Sequence, residues 1–474
     1  MIPSIPVNNL LRIGTSVTVS CLFIVLIGFI SGSVSPQSSA ASQPNILVIL
    51  TDDQGYHDVS YYGTQDIKTP HMDQLAKEGM RFDNFYANCP VCSPTRAALL
   101  TGRYQDYVGV PGVIRTHPEN SWGYLDPQAT TLPSLLKKAG YQTAIIGKWH
   151  LGLESPNLPN QRGFDTFKGW LGDMMDDYWK HRRHGINYMR DNAKIIDPTG
   201  HATDLFTHWA VEYVLDHAKA KQSGTVRPFF MYLAYNAPHF PVQPPANWLK
   251  RVQQREPGLA PKRAELVAFI EHLDDGIGKV IAALKATGQY DNTLIVFTSD
   301  NGGHLPSLAN NGPTRDGKQS MYEGGLRVPT ALVWPSRIKP GTISPQVNLT
   351  MDLFPTLLEA AGATPSPTLE GRSFLPTLLG QRPTDETNRP LYFTRREGGT
   401  EYGGQCSYAL RQGDWKLVKN TPFEAMELFN LKNDPLEKHN IRQEHPDQYK
   451  KLNSLLMQHI QQGGRVPWQP PTHP

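Results

Sequence analysis

The sequence predicts an α/β protein: a large domain on a mostly parallel sheet between helices, then a smaller domain with an antiparallel sheet and one helix. Three observations carry this. Four short apolar runs, NILVIL (45–50), TAII (143–146), FFMYLAY (229–235) and TLIVFTS (293–299), have the unbroken hydrophobicity of strands buried on both faces. Helical patterns at 72–79, 132–140, 203–220 and 265–288 lie between them, and such alternation makes a parallel sheet covered by helices. Beyond about Arg372 the character changes. A polar, Pro-bearing connector (380–390) leads to strand-like segments at 391–397, 408–419 and 426–431 and a last helix from about Pro446 to Gln461. Gly413-Asp414 between alternating segments marks a hairpin turn. The expected divisions are a leader over 1–42, the large domain over 43–375 and the smaller α+β domain over 376–474.

The leader is different in kind. Arg12 precedes an apolar stretch from about Val17 to Ile30, and small residues come after it around Ser39 to Ala41. That is the layout of a signal peptide, so the chain is expected to be exported, periplasmic or extracellular; left uncleaved, the same stretch is an anchor. Of the four cysteines, Cys21 starts the apolar stretch and leaves with it. Cys89, Cys92 and Cys406 remain, and an odd number in an oxidising compartment leaves at least one outside a disulfide. A formal net charge of +3 without a long basic run excludes a nucleic-acid partner. Nothing in the sequence fixes an oligomeric state.

The residues just beyond each strand are polar and suggest a site. Thr51-Asp52-Asp53 comes after the first strand, Gly147-Lys148-Trp149-His150 after the second, Asn236-Ala237-Pro238-His239 after the third, and Asp300-Asn301-Gly302 after the fourth. Parallel strands place all four clusters at the carboxyl edge of the sheet, where open α/β sheets hold their ligands. Asp52, Asp53, Asp300 and Asn301 are hard oxygen donors, and adjacent carboxylates repel unless a cation separates them. An all-oxygen set favours Ca²⁺, or Mg²⁺, over zinc. Turn formation or helix capping explains any one of them alone, but not two acidic pairs that each end a buried strand. Lys148, His150, His239 and Lys318, the last in the Gly-rich stretch 314–329, add cationic and protonatable groups suited to a tetrahedral oxyanion. The residues by themselves reach a metal-dependent hydrolase of an oxyanion ester.

Cys92 opens a predicted helix, with Pro94 in its first turn and Gly102 at its end. Two readings stand. A thiol at a helix N-terminus is expected to be exposed and to have a lowered pKa, with Arg96 one turn on facing the same site. A lone cysteine is otherwise a small buried apolar residue.

Cys92-Ser93-Pro94-Thr95-Arg96 resembles the C-x-P-x-R signature of the type I, formylglycine-dependent sulfatases, and LTGRY (100–104) extends it. NILVILTDDQG (45–55), GKWHLG (147–152), NAPHFP (236–241), TSDNGG (298–303), GKQSMYEGGLRVP (317–329), MDLFPTLLEAAG (351–362) and ELFNLKNDPLEKHN (427–440) are similar to sulfatase segments in the family's order. No position of the core pattern is substituted. The resemblance implies an alkaline-phosphatase-like fold and conversion of Cys92 to 3-oxoalanine (Cα-formylglycine) by a formylglycine-generating enzyme or equivalent maturase. It implies one Ca²⁺ held by Asp52, Asp53, Asp300, Asn301 and modified residue 92. The hydrated aldehyde would attack sulfur, helped by Asp300, with Arg96 and Lys148 holding the diol. His239 and Lys318 would bind sulfate and serve the leaving alcohol. His150 would take the second hydroxyl's proton as sulfate is expelled and the aldehyde re-forms.

Among sulfatases the segments look like those of bacterial arylsulfatases and N-acetylgalactosamine-6-sulfatase-like enzymes. A sulfated small molecule or glycan is therefore the expected substrate, most concretely a sulfated carbohydrate. Residues 117–128 and 169–192 are long, aromatic segments suited to pocket walls, with Trp170, Tyr178 and Trp179 as expected stacking surfaces. A phosphate or phosphonate ester hydrolase of the same superfamily is the alternative. A carbohydrate-binding protein with a dead site does not fit an intact catalytic pattern.

Overall fold

The computed structural model describes residues 43–469 apart from 223–226, 366–367, 382–387, 399–400 and 403. The expected leader, with its export signal or anchor, and the middle of the 380–390 connector lie outside the described residues. No helix among the described residues is long and apolar enough to cross a membrane.

Among the described residues the large sheet has ten strands. Its centre is parallel, in the spatial order Thr293–Ser299, Asn45–Thr51, Phe229–Ala234, Gln142–Lys148, Thr166–Trp170. All four apolar runs are strands here, and Ile46 to Leu50 are wholly buried. The fifth parallel strand, TFKGW, has no apolar run to announce it. Antiparallel strands flank this centre. Thr330–Val333 and Met80–Phe82 extend one side, where Thr342–Ser344 adds a last strand parallel to Met80–Phe82, and Met189–Asp191 and Lys194–Ile195 extend the other. The Asn45 strand pairs with the Thr293 strand on one side and the Phe229 strand on the other. Such a strand is a switch point, where a crevice opens beyond the carboxyl ends.

Helices Pro70–Glu78, Ala202–Gln222, Ala246–Arg255 and Pro261–Ala286 pack together, and Cys92–Thr101, Leu132–Lys138 and Leu353–Ala360 form a second group. The Cys92 helix begins after Val91, whose backbone is extended, and carries Pro94 in its first turn, where the missing N–H costs nothing. It ends at Gly102 with φ 68°, a left-handed cap that glycine adopts without penalty.

The C-terminal sheet is antiparallel in chain order, Leu391–Arg396, Cys406–Gln412, Trp415–Lys419, Glu427–Asn430. Gln412 pairs with Trp415, so Gly413-Asp414 is the two-residue hairpin turn that the sequence marks. Alternation along these strands gives two apolar faces. Leu410, Leu417 and Leu428 pack against Leu452 and Leu456 of helix Pro446–Gln462. Ala409, Val418 and Phe429 pack against Tyr86, Met321, Leu326 and Met351. A buried ion cluster reinforces the second face. Lys416 Nζ donates to Glu323 Oε1 and contacts Glu437 Oε1, each at 2.8 Å, and the Glu323 N–H donates to Glu437 Oε2 at 2.6 Å.

One ammonium shared by two buried carboxylates favours a proton on one of them. Burial pushes Glu437 up to about 7, with Glu323 adding to the shift and Lys416 opposing it. A folded-state pKa above the unfolded one makes this group's contribution fully present below about 4.5 and lost as pH rises through about 7. Glu437→Gln is therefore expected to flatten the fall in thermal midpoint between pH 5 and pH 8, read by calorimetry on both proteins. An identical pH profile for the variant would contradict the assignment.

Candidate active site

The clusters that end the parallel strands meet at the carboxyl edge, and a helix and a loop join them. Asp52 and Asp53 continue the central strand, with Asp53 at φ 66°, and Asp300 and Asn301 continue the neighbouring strand. The Asp53 N–H donates to Asp300 Oδ1 at 3.3 Å, and Asn301 Nδ2 donates to Asp53 Oδ1 at 2.8 Å. The Lys318 loop docks through glycines. The Gly302 N–H donates to Gly325 O and the Lys318 N–H to Gly303 O, each at 3.0 Å. A Cβ on Gly302 would collide with the Gly324 carbonyl.

Three buried carboxylates face three cations, of which Arg96 and Lys148 are buried and Lys318 is 11% exposed. Lys148 Nζ donates to Asp52 Oδ2 at 2.6 Å and Lys318 Nζ to Asp53 Oδ2 at 2.8 Å. Arg96 donates to Asp300 Oδ2 from Nε at 3.0 Å and Nη2 at 2.7 Å, and Nη2 lies 3.5 Å from Asp52 Oδ2. Each carboxylate thus has a side-chain cation, Lys148 on Asp52, Lys318 on Asp53 and Arg96 on Asp300. Burial alone would raise Asp52, but the surrounding cations, Lys148 foremost, hold it far below the carboxylate range. Burial, then the Asp52 charge, pushes Asp300 up to about 7.

Cys92 is the first residue of its helix and is 4% exposed. Its Sγ and carboxylate oxygens of Asp52 and Asp300 lie within 4.8 Å of one another. The expectation of an exposed, acidified thiol is corrected: burial raises the Cys92 pKa and outweighs Lys148 and Lys318. The desolvation cost exceeds what the helix N-terminus supplies. As a thiolate nucleophile Cys92 is badly placed; as the position of a modified residue beside a hard-donor set it is well placed. Cys89 is fully buried against Val91 and Val113. Cys89, Cys92 and Cys406 are all free thiols.

The two histidines are neutral, each in a defined tautomer. His150 Nε2 donates to Ile114 O at 2.7 Å, so buried Nδ1, which has no partner among the described residues, presents a lone pair. Burial, then Lys148 and Arg96, takes its pKa well below the ordinary value. His239 Nδ1 donates to Phe240 O at 2.6 Å, and Nε2 accepts from Lys318 Nζ at 3.1 Å. Burial and Lys318 lower His239 to about 4, and Lys318 keeps its charge.

Asp53, Cys92, His150, His239 and Lys318 line one cavity of about 200 Å³. Sequence reasoning missed much of the rest of its wall, including Arg115, Asp173, Arg183, Arg395 and Tyr402. Asp173 and Arg183 do fall within the 169–192 segment expected to form a wall. Arg395 and Tyr402 come from the C-terminal region, which carried no site signal. The expected stacking surfaces are corrected. Trp170 and Tyr178 are buried in the core, where Tyr178 donates to Asn236 O and His239 O and so braces the histidine segment. Trp179 is exposed but off the cavity, and no residue of 117–128 lines it.

The donor set fits a hard divalent cation. Asp52 Oδ1 and Asn301 Oδ1 are buried acceptors without a partner among the described residues, beside Asp53 and Asp300. Buried oxygens are seldom left unpaired, and a cation satisfies them. Together the fold and site define a sulfuric or related oxyanion ester hydrolase. The sulfatase family model matches residues 44–363, and that of the N-sulphoglucosamine sulphohydrolase C-terminal region matches residues 316–464. The chain belongs to the sulfatase family and is a sulfuric ester hydrolase. N-acetylgalactosamine-6-sulfatase of Canis lupus familiaris is 37% identical over 400 residues, 80% of this chain and 72% of that protein. The Homo sapiens enzyme of that name is 36% identical over 381 residues, 76% of this chain and 69% of its own. Among solved structures, Ps i-CgsB in complex with k-i-k-neocarrahexaose aligns with TM-score 0.80 at 32% identity, over 91% of this chain and 96% of that one. A protein in complex with its substrate D-glucosamine-2-N,6-O-disulfate aligns with TM-score 0.70 at 26% identity, over 89% and 98%.

His150→Ala removes the uncommitted lone pair without touching an ion pair. Sulfate ester turnover is expected to fall about 10²–10⁴-fold, with a lowered thermal midpoint from the lost Ile114 O hydrogen bond and the cavity left behind. Near wild-type kcat in the variant would take His150 out of the proton path.

Proposed function

We propose that this sulfatase removes sulfate from a sulfated carbohydrate, with residue 92 as formylglycine and one Ca²⁺ held by Asp52, Asp53, Asp300, Asn301 and residue 92. The observation that carries the site reading is the buried thiol within 4.8 Å of the Asp52 and Asp300 carboxylates, next to unpartnered oxygens of Asp52 and Asn301. The Sγ atom stands where an oxygen of the hydrated aldehyde would be. Relatives named N-acetylgalactosamine-6-sulfatase and solved relatives with bound saccharides support a carbohydrate ester. The 12–41 segment supports export, and conversion of Cys92 requires a maturase that reads Cys92 to Arg96 before folding buries them.

When bound, the cation supplies Lewis-acid polarisation and the aldehyde hydrate supplies a hydroxyl nucleophile and a second hydroxyl for release. This chain's own residues do the rest. Arg96 fixes Asp300 by two hydrogen bonds and, at the foot of the helix, keeps residue 92 in register with it. Lys148 and Lys318 hold positive charge where sulfate oxygens arrive, in a site dry enough to strengthen that attraction. His239 orients the Lys318 ammonium, which donates toward the leaving oxygen. His150 Nδ1 accepts a proton.

Three measurements test this. Mass spectrometry of the peptide containing residue 92 from active enzyme is expected to show a loss of about 18 Da against cysteine, thiol replaced by aldehyde; an intact thiol in fully active enzyme sinks the formylglycine reading. Chelation is expected to lower the thermal midpoint and abolish hydrolysis of an aryl sulfate, with Ca²⁺ restoring both. Faster turnover of the matched aryl phosphate would favour a phosphate ester hydrolase instead.

A further inference from the structure

The active-site cavity does not end at its own wall. Lys318, Gln319, Arg395 and Tyr402 also line a second depression of about 390 Å³. The two are lobes of one cleft, and the second is larger. Its further walls are Leu305 and Pro306 after the Asp300 strand, Asp316 in the Lys318 loop, and Gln405 and Asn420 of the C-terminal region.

The loop between the lobes is held in uncommon backbone conformations. Asp316 has φ 57° and Gln319 φ 78°, one on each side of Gly317-Lys318. Non-glycine residues in this region cost free energy and persist where surrounding structure imposes them, often at binding sites. Here the Lys318 N–H is tied to Gly303 O and the Gln319 N–H to Pro90 O at 2.8 Å. The result aims Lys318 into the first lobe and leaves Gln319 exposed on the ridge between the two.

The second lobe offers carbohydrate-binding chemistry. Leu305, 44% exposed, and Pro306 give an apolar surface for the C–H face of a sugar ring. Asn420 Oδ1 accepts from the Met321 N–H at 2.8 Å, and its Nδ2 has no partner among the described residues. Gln405 Nε2 donates to Ser407 Oγ and Asn420 O, and its Oε1 has no partner among the described residues. The charges are unequal in availability. Lys318 is paired with Asp53, and Arg395 donates to Glu397 from Nε at 2.7 Å. Among the described residues the Asp316 carboxylate accepts only from Ser320 Oγ, at 3.1 Å, and has no ion-pair partner. Among those residues, the one uncompensated charge in the lobe is negative.

We propose that the second lobe binds the saccharide unit adjoining the sulfated one, and that Asp316 makes it select a neutral unit over one bearing a carboxylate or second sulfate. This rests on the carbohydrate ester reading above and names its substrate more closely. Amides and an apolar face suit hydroxyl-rich rings, and a like charge beside a carboxylate disfavours acidic ones.

The test uses the mature wild-type enzyme and two disaccharides with the same sulfated sugar, one joined to a neutral hexose and one to a hexuronic acid. We expect kcat/KM to favour the neutral partner at least about tenfold at low salt, with the preference shrinking as ionic strength rises. In Asp316→Asn the ratio is expected to fall to within about threefold, a relative measure that does not depend on how much variant folds. Equal turnover of both disaccharides by wild type, or an unchanged ratio in the variant, overturns the selectivity while leaving the sulfatase assignment standing. Hydrolysis of an aryl sulfate with neither disaccharide accepted overturns the second lobe as a saccharide site. Failure on the aryl sulfate too, by enzyme with residue 92 converted, overturns the proposed function with it.

Discussion

The structure depends on three carboxylates, Asp52, Asp53 and Asp300, taken out of water against three cations, Arg96, Lys148 and Lys318. Ions in a dry interior lose hydration worth several kcal/mol each, at least, and recover it only where partners sit within hydrogen-bonding reach. Removing one member leaves its partner buried and uncompensated. The cluster is therefore a mutual constraint on two sheet strands, a third strand end, one helix and one loop. None of these segments keeps its charge buried alone, and their assembly is also what makes the chemistry.

The Cys92 helix shows how closely support and reactivity are joined. Every residue from Cys92 to Thr101 is buried, so its position is set by packing along its whole length. Arg96 is at once the counter-ion of Asp300 and the element that keeps residue 92 over the carboxylates. Reading Cys92 as a thiol misleads here, because burial opposes the thiolate. Reading it as a precursor removes the conflict: an aldehyde hydrate carries no charge that burial must penalise.

The C-terminal region completes the site from outside the parallel sheet. One face of its small sheet is seated on Tyr86, Met321 and Leu326, and the Lys416–Glu323–Glu437 cluster fastens it to the short helix Glu323–Leu326. That helix continues the Lys318 loop, so the region that lends Arg395 and Tyr402 to the cleft also steadies Lys318. Walls are divided accordingly: the parallel sheet and the segments at its carboxyl edge carry the buried charge cluster, and the appended sheet adds Arg395 to the rim of the cleft.

Local pattern by itself determined the four central strands, the helices between them, the Gly413-Asp414 turn and the convergence of Asp52, Asp53, Lys148, His150, His239, Asp300 and Asn301. Parallel pairing of fully buried runs leaves their ends only one edge to share. The C-x-P-x-R stretch and its companion segments determined the family. Tertiary structure alone decided which charge answers which, that Cys92 is buried, that His150 keeps a free lone pair, and that Trp170 and Tyr178 are core rather than platform. It also decided the cleft's outer walls, from Arg115 and Arg183 to Gln319, Arg395 and Tyr402. Periodicity reports which residues leave water, but side-chain partners, protonation and the shape of a cleft depend on distances between segments far apart in the chain.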